Sequence, residues 1–565
     1  MRTSPTSSLL LVARAGLAAL ALSSTLASTA AAGPVACNTL SNTLSLQPGV
    51  KTVTSAIIPA GGPNVAFCRV DILYGENLGQ NINIRVGLPL NSLDGGTGGL
   101  EGAWNGRTQG IGGGGCAGSL GVNPPVNAGY VGSGTDGGHV GGNCEPAVNL
   151  DGTYNMQFLQ DWTRNGIKQQ ILFAKKLANT YYGAPAQYNY WNGCSTGGRQ
   201  GYLLAQELGS ELQGILASAP AIYWTRFQTA QMWGQIVMKD LVGAPISGAK
   251  LNQATASAIA ACDANDGVVD GIIDDPRTCT FSAKANICGQ PTAPATNCLM
   301  PAEADAIDKI WDGPRNNDGE KIWFGLDRGT SLPALNGTNP FPLGVTQFHW
   351  NEHDRNFDWK TVPIAGYAQV AQDGSRNIAD VTDTFGDLDA FRNAGGKLLT
   401  FVGANDQLIM PRGVIHYYRE MASRYANPAN TDDHPGEAQG NSKPDFEALH
   451  SFYRLFRAPG VAHCGGGAGP QPQNLFGTLV NWVENGVAPS SILASGPPIR
   501  TRPLCPYPHT AIYNGSGSTD EASNFHCGGN LETQEVICND LLTKYKDEVK
   551  GPIDRKGTGA GNCKQ

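Results

Sequence analysis

The sequence predicts an α/β fold, a sheet-and-helix core interrupted by an inserted second domain. Three observations predict it. First, the aromatic segment 186–191 runs into Gly193-Cys194-Ser195-Thr196-Gly197 and then into a helical pattern over 198–208, a strand–turn–helix unit. Second, residues 397–402, with Leu398, Leu399, Phe401 and Val402, read as a buried strand of the apolar type, covered on both faces. Third, residues 223–389 change character, to helical patches, proline-rich loops and an irregular aromatic stretch over 341–359. The core is therefore assigned to 33–222 and 390–565, and the insertion to 223–389.

Length and composition agree. A chain of 565 residues exceeds what one simple core holds, so more than one domain is expected. Charged residues make up 15%, the net charge is 39 − 47 = −8, and no basic run is present, which argues against a nucleic-acid partner. The first 32 residues read as a signal peptide rather than as fold. Arg2 is followed by a largely apolar stretch from Leu9 to Leu22, and Ala30, Ala31 and Ala32 offer small residues for a cut near Gly33. No later apolar run is long enough to span a bilayer, so a secreted chain, extracellular or periplasmic, with no membrane attachment after cleavage is expected. Fourteen cysteines in an exported chain argue for disulfides, and the absence of C-x-x-C pairs argues against a metal cluster. Spacing marks Cys262/Cys279, Cys288/Cys298, Cys505/Cys527 and Cys538/Cys563 as local bridges. The remaining connectivity is open.

Taken in order, alternating apolar segments around 65–70 and 82–88 read as strands. The glycine-rich stretch 106–118 lacks the Gly-Lys-Ser/Thr ending of a phosphate loop. Glycine there lets backbone amides approach a substrate oxygen, so Gly114 and Gly115, with Thr196, are the candidate oxyanion donors. Residues 129–139 read as a strand and turn, with His139 as a structural hydrogen-bonding histidine. Residues 155–179 have helical periodicity in Phe158, Leu159, Trp162, Ile167, Ile171, Leu172 and Leu177.

The G-x-S-x-G turn is a nucleophile elbow. Its serine sits on a strained strand-to-helix turn where bulky neighbours collide, and it faces the positive end of the following helix. Later, Asp406 lies just past the strand at 397–402, where α/β enzymes place catalytic groups, and His463 stands on a glycine-rich loop. The order Ser195, Asp406, His463 is that of α/β-hydrolases. His463 would move the serine proton, and Asp406 would orient the imidazole. His416, His434 and His450 compete for the role, but His463 alone has the glycine-rich loop. Cys194 as the nucleophile would need a free thiol of low pKa, which a disulfide-rich exported chain disfavours. Within the insertion, Asp263, Asp266, Asp270 and Asp274 recur between Cys262 and Cys279, with glycines at 267 and 271. Carboxylates this close repel unless a cation neutralises them, and a tight loop of oxygen donors suits Ca²⁺, although the EF-hand pattern does not fit.

These motifs, at 106–118, 129–139, 193–198, 262–279, 403–406, 458–464 and 504–508, resemble those of the tannase and feruloyl esterase family of secreted α/β-hydrolases, which includes the esterase acting on mono(2-hydroxyethyl) terephthalate. The Cys194-Ser195 and His463-Cys464 dipeptides are the most specific. The resemblance implies a Ser195/Asp406/His463 triad, a Cys194–Cys464 disulfide, and a structural Ca²⁺ held by Asp263, Asp266 and Asp270 with the carbonyls of Val268 and Ile272. It also implies that the insertion is a lid over the acyl pocket. The expected activity is hydrolysis, through an acyl-enzyme, of a small-molecule or polysaccharide-linked aromatic ester, with feruloyl, galloyl and terephthalate acids all open. The competing reading is a non-catalytic, calcium-stabilised secreted binding protein on the same scaffold. Cys116 and Cys144 are a further candidate pair, outside the family pattern.

Overall fold

The structure is a computed structural model. It describes residues 33–533 apart from 385, 428–443 and 497–498, and beyond these only Val536, Asp540 and Leu542. The expected signal peptide, His434 and the Cys538/Cys563 pair lie outside the described residues.

A nine-stranded sheet organises the chain. Its strands are β1 (Val50–Ile58), β2 (Phe67–Tyr74), β3 (Ile82–Pro89), β4 (Arg107–Ile111), β5 (Val131–Thr135), β6 (Tyr188–Cys194), β7 (Gly214–Ser218), β8 (Lys397–Gly403) and β9 (Tyr453–Ala458), in the spatial order β1-β2-β3-β5-β4-β6-β7-β8-β9. The pairs from β1 to β5 are antiparallel, and those from β5 through β4 to β9 are parallel. The parallel strands are buried on both faces. Successive side chains point opposite ways, so Trp191, Ile215 and Leu398 enter one apolar cluster while Tyr190, Leu216 and Leu399 enter another. The helix Gly166–Tyr182 packs on β3, β4 and β5, and the helix Leu475–Asn485 packs on β7 and β8.

Between β7 and β8, neighbours in the sheet, the chain makes its long excursion through the helices Trp224–Ala230, Trp233–Leu241, Gly248–Cys262, Pro301–Asp312, Pro342–Asn351 and Tyr367–Thr382. Trp224, Phe227, Trp311 and Trp350 of this excursion share one buried cluster with Trp162, Trp191 and Tyr202. Sheet and excursion therefore have a continuous core.

Three details differ from the sequence reading. The stretch over 341–359 is not irregular throughout: Pro342 opens a ten-residue helix, because proline at the first helical position forgoes only an amide that has no intrahelical partner. The helix expected over 155–179 is broken by a π turn at Asp161–Asn165. There Gly166 packs close to Gly137, and an added Cβ would stand 3.1 Å from its Cα. Strand β1 lies at the sheet edge, and its apolar alternation is weak because it pairs on one side only.

Six disulfides are present: Cys37–Cys68, Cys116–Cys144, Cys194–Cys464, Cys262–Cys279, Cys288–Cys298 and Cys505–Cys527. Among the described residues no helix is long and apolar enough to cross a membrane.

Candidate active site

The turn after β6 follows from its glycines. An added Cβ at Gly193 would lie 2.4 Å from Gly197 O, and one at Gly198 would lie 2.5 Å from Ser218 O. Only glycine admits such approaches. Ser195 between them takes φ 64° and ψ −123°, a strained conformation for a side-chain-bearing residue, and caps the helix Thr196–Glu207. Its hydroxyl therefore stands at the positive end of a twelve-residue helix.

The glycine-rich loop after β4 is clamped to that helix. Gly113 donates its N–H to Gln200 Oε1 (3.1 Å) and accepts from Gly197 N–H (2.9 Å). Thr196 Oγ1 donates to Gly115 O (2.5 Å), and Cys116 N–H donates to Gly142 O (3.1 Å). With the amides of Gly113 and Cys116 engaged, those of Gly114 and Gly115 lie between two anchored points, beside Thr196.

The loops after β8 and β9 are zipped together. Ala404 N–H donates to Ala458 O (2.9 Å) and Asn405 N–H to Val461 O (2.9 Å). Asn405 Oδ1 accepts Gly460 N–H (2.9 Å), and Gln407 Oε1 accepts His463 N–H (3.1 Å). Asp406 is 2% exposed. Its Oδ1 accepts the N–H groups of Leu408 (2.9 Å) and Ile409 (2.8 Å), and its Oδ2 pairs with His463 Nδ1 at 2.8 Å. Cys194–Cys464 joins the serine turn to the histidine loop with a Cα separation of 6.0 Å. Ser195 Oγ and the His463 ring do not hydrogen-bond to each other in this structure, and catalytic contacts of this kind commonly tighten only with substrate bound. The other described histidines are engaged elsewhere. His450 Nε2 meets Tyr507 O (2.9 Å), His416 lies 3.5 Å from Glu420, and His139 packs edge-on against Phe158.

Sequence reasoning missed Gln200, Asn405 and Gln407. Asn405 and Gln407 flank Asp406 directly, which is the one signal that could have marked them. Gln200 has none beyond its place one turn into the elbow helix.

In the acidic loop, Asp263 accepts the N–H groups of Asp270 (3.0 Å), Gly271 (3.0 Å) and Ile272 (3.2 Å), curling the chain around its own carboxylate. Burial pushes the Asp266 carboxyl up to about 6, against the Val268 N–H bond that lowers it, with the charges of Asp274 and Asp270 adding to the rise. Asp270 is raised by burial and opposed by Arg500 and Arg502, the latter at 2.7 Å. Asp274 turns away, to Arg457 and Thr510. Among the described residues no three His, Cys, Asp or Glu side chains converge as a metal centre, so a cation here would also need backbone carbonyls. All the side-chain donors are oxygens, the type a hard cation takes, while Arg500, Arg502 and Arg457 already offset the charge of Asp270 and Asp274.

Residues 99–528 match the tannase and feruloyl esterase family. A probable feruloyl esterase of Arthroderma benhamiae is 34% identical over 82% of this chain and 86% of its own length. The mono(2-hydroxyethyl) terephthalate hydrolase of Piscinibacter sakaiensis is 28% identical over 77% of this chain and 78% of its own. The crystal structure of feruloyl esterase B from Aspergillus oryzae superposes with a TM-score of 0.72, at 24% identity, over 87% of this chain and 99% of that one, a likeness of fold.

Proposed function

The chain belongs to the tannase and feruloyl esterase family and is a carboxylic ester hydrolase; from this premise we propose that Ser195 cleaves esters of aromatic acids, of feruloyl or galloyl type, through an acyl-enzyme. The observation that carries the reading is the 2.8 Å Asp406–His463 pair on a loop cross-linked to the serine turn. With Nδ1–H donated to Asp406, Nε2 of His463 is the basic nitrogen. It takes the Ser195 proton as Oγ bonds to the ester carbon, and the carbonyl oxygen becomes an oxyanion facing the N–H groups of Thr196 and the Gly114–Gly115 segment. Collapse breaks the bond to the alcohol oxygen, which receives the proton from His463. Water, deprotonated by His463, then attacks the acyl carbon, releases the acid and restores Ser195. Removing Asp406 as acceptor would favour the wrong tautomer, and the two backbone amides on its Oδ1 hold it in place for this role.

The insertion 223–389 acts as a lid, a role supported by Leu343 Cδ1 lying 3.6 Å from where a Gly115 Cβ would stand. Ca²⁺, bound by Asp263, Asp266 and Asp270 with the carbonyls of Val268 and Ile272, would neutralise the acidic loop and serve stability rather than chemistry. Six disulfides and the leader-like N-terminus support export.

The test uses methyl ferulate, methyl gallate and mono(2-hydroxyethyl) terephthalate. The wild type turns over at least one, and Ser195→Ala loses roughly 10⁶-fold in kcat with an unchanged melting curve. Turnover of none by the wild type, or appreciable activity in the variant, contradicts the proposal.

A further inference from the structure

Arg199 stands one turn after Ser195 on the helix Thr196–Glu207, and its N–H donates to Ser195 O (3.0 Å). Its side chain is fully buried, and Nε and Nη2 have no hydrogen-bond partner among the described residues. The chemistry at Ser195 makes no use of it. A cation this deep is costly unless its surroundings supply negative potential. Here three groups do. The guanidinium carbon lies 4.7 Å from the ring centroid of Trp162 and 5.8 Å from that of Trp224, and the faces of such rings attract cations. Nη1 donates to Thr382 O (3.3 Å), at the negative end of the helix Tyr367–Thr382. The last carbonyls of a helix have no intrahelical donor, and the two before Thr382, those of Val381 and Asp380, are taken by Arg164.

These partners are not scattered. Trp162 belongs to the core, on the π turn Asp161–Asn165. Trp224 opens the first helix of the insertion, and Thr382 closes its last. One guanidinium therefore touches both ends of the 223–389 insertion. The same two helices grip the helix Pro342–Asn351. Asn351 Nδ2 donates to Thr229 Oγ1 (3.0 Å), and an added Cβ at Gly374 would stand 2.1 Å from Asn351 Oδ1. That helix carries Leu343, which reaches the candidate oxyanion loop at Gly115. A packed path thus runs from the root of the serine turn, through Arg199 and the ends of the insertion, back to the loop that faces Ser195.

We propose that Arg199 is a positioning residue: its buried guanidinium pins both ends of the insertion to the serine helix and so fixes the acyl pocket against Ser195. The inference rests on the esterase and lid readings above and deepens them. The test compares p-nitrophenyl acetate with the p-nitrophenyl ester of whichever acid the wild type prefers among ferulic, gallic and terephthalic. The pair shares a leaving group and differs in how far the acyl group extends beyond the serine turn. Arg199→Met keeps an aliphatic stem without the charge. It should lose about tenfold in kcat/KM on the aromatic ester, chiefly through KM, and stay within about twofold on the acetate. Arg199→Lys keeps a cation without the planar fork, and its loss on the aromatic ester should shrink to about threefold. Trp224→Phe weakens the same contact from the insertion side and should give the same KM-led pattern, which carries the test if Arg199→Met does not fold. Equal losses on both esters would assign Arg199 to the serine turn itself, and a lowered Tm with unchanged kinetics on both would leave it a stability role alone; either result overturns the inference. A wild type that cleaves no aromatic ester overturns the esterase reading on such substrates, and hydrogen exchange then decides the inference. In Arg199→Lys the amides of 224–230 and 378–382 should exchange several-fold faster while those of 196–207 stay unchanged. No change at the ends of the insertion, or an equal rise in 196–207, overturns it.

Discussion

The serine turn and the acidic loop are both tight, glycine-bearing and disulfide-stapled, yet glycine does different work in each. In the serine turn, Gly193 and Gly198 have no room for a side chain, with backbone oxygens 2.4 and 2.5 Å from an added Cβ. In the acidic loop, Gly267 and Gly271 face open space but adopt φ of 86° and 81°. One region is set by close approach of three chain segments, the other by the backbone conformation of a single segment. The staples follow suit: Cys194–Cys464 spans 270 residues and Cys262–Cys279 spans 17. Position at the serine turn is therefore a property of the whole sheet, and position in the acidic loop is a local one.

The sharpest way to break this contrast lies at the triad. Asp406→Asn keeps the shape of the turn and should lower kcat on the order of 10⁴-fold, whereas Asp266→Asn should leave the initial rate within a few-fold. Comparable losses from the two would erase the distinction between chemistry and scaffold. Next, Gly198→Ala forces a methyl group against Ser218 O and should cost about 1–3 kcal/mol with a parallel loss of activity. Gly267→Ala meets only left-handed strain and should cost about 1–2 kcal/mol, with activity at low temperature preserved. Chelation should act like the second substitution, lowering Tm more than the initial rate. A rate that collapses while Tm holds would move the cation into the chemistry.

The smallest expected effect sits where the excursion meets the serine helix. Asp383, buried at the end of the excursion, accepts Thr225 N–H and Oγ1, and its neighbour Thr382 O accepts from Arg199 of the serine helix. Burial pushes the Asp383 carboxyl up to about 6, against the Thr225 hydrogen bonds. Its folded pKa therefore lies above its unfolded one, so its contribution to stability is full below about pH 4 and is lost as pH rises through 6. Asp383→Asn has no such loss, and its Tm relative to wild type should climb between about pH 4 and pH 6 and level off above that. A flat difference between pH 4 and pH 6 would mean that Asp383 ionises in the folded chain as it does in the unfolded one.

The same contrast explains what was legible in the sequence. Ser195, Asp406 and His463 stood out because close approach demands glycine, and glycine beside a serine, or at the end of an apolar strand, is visible in a string of letters. Gln200 and Gln407 were invisible because glutamine has no such signature; their partners, Gly113 N–H and His463 N–H, lie 87 and 56 residues away in the chain. The helix at Pro342–Asn351 was read as irregular because packing against Trp162 and its neighbours, more than amphipathic spacing, defines its faces. Strand β1 was missed because an edge strand need not alternate strongly.

Covalent trapping tests the central claim most directly. The enzyme is inactivated with an aryl phosphonate ester and digested without reduction, and the adduct is located by mass spectrometry. One phosphonyl group per chain should appear on Ser195, in a peptide still disulfide-linked through Cys194–Cys464 to the segment bearing His463. Full inactivation with the adduct on any other residue, or Ser195 and His463 recovered in unlinked peptides, would contradict it.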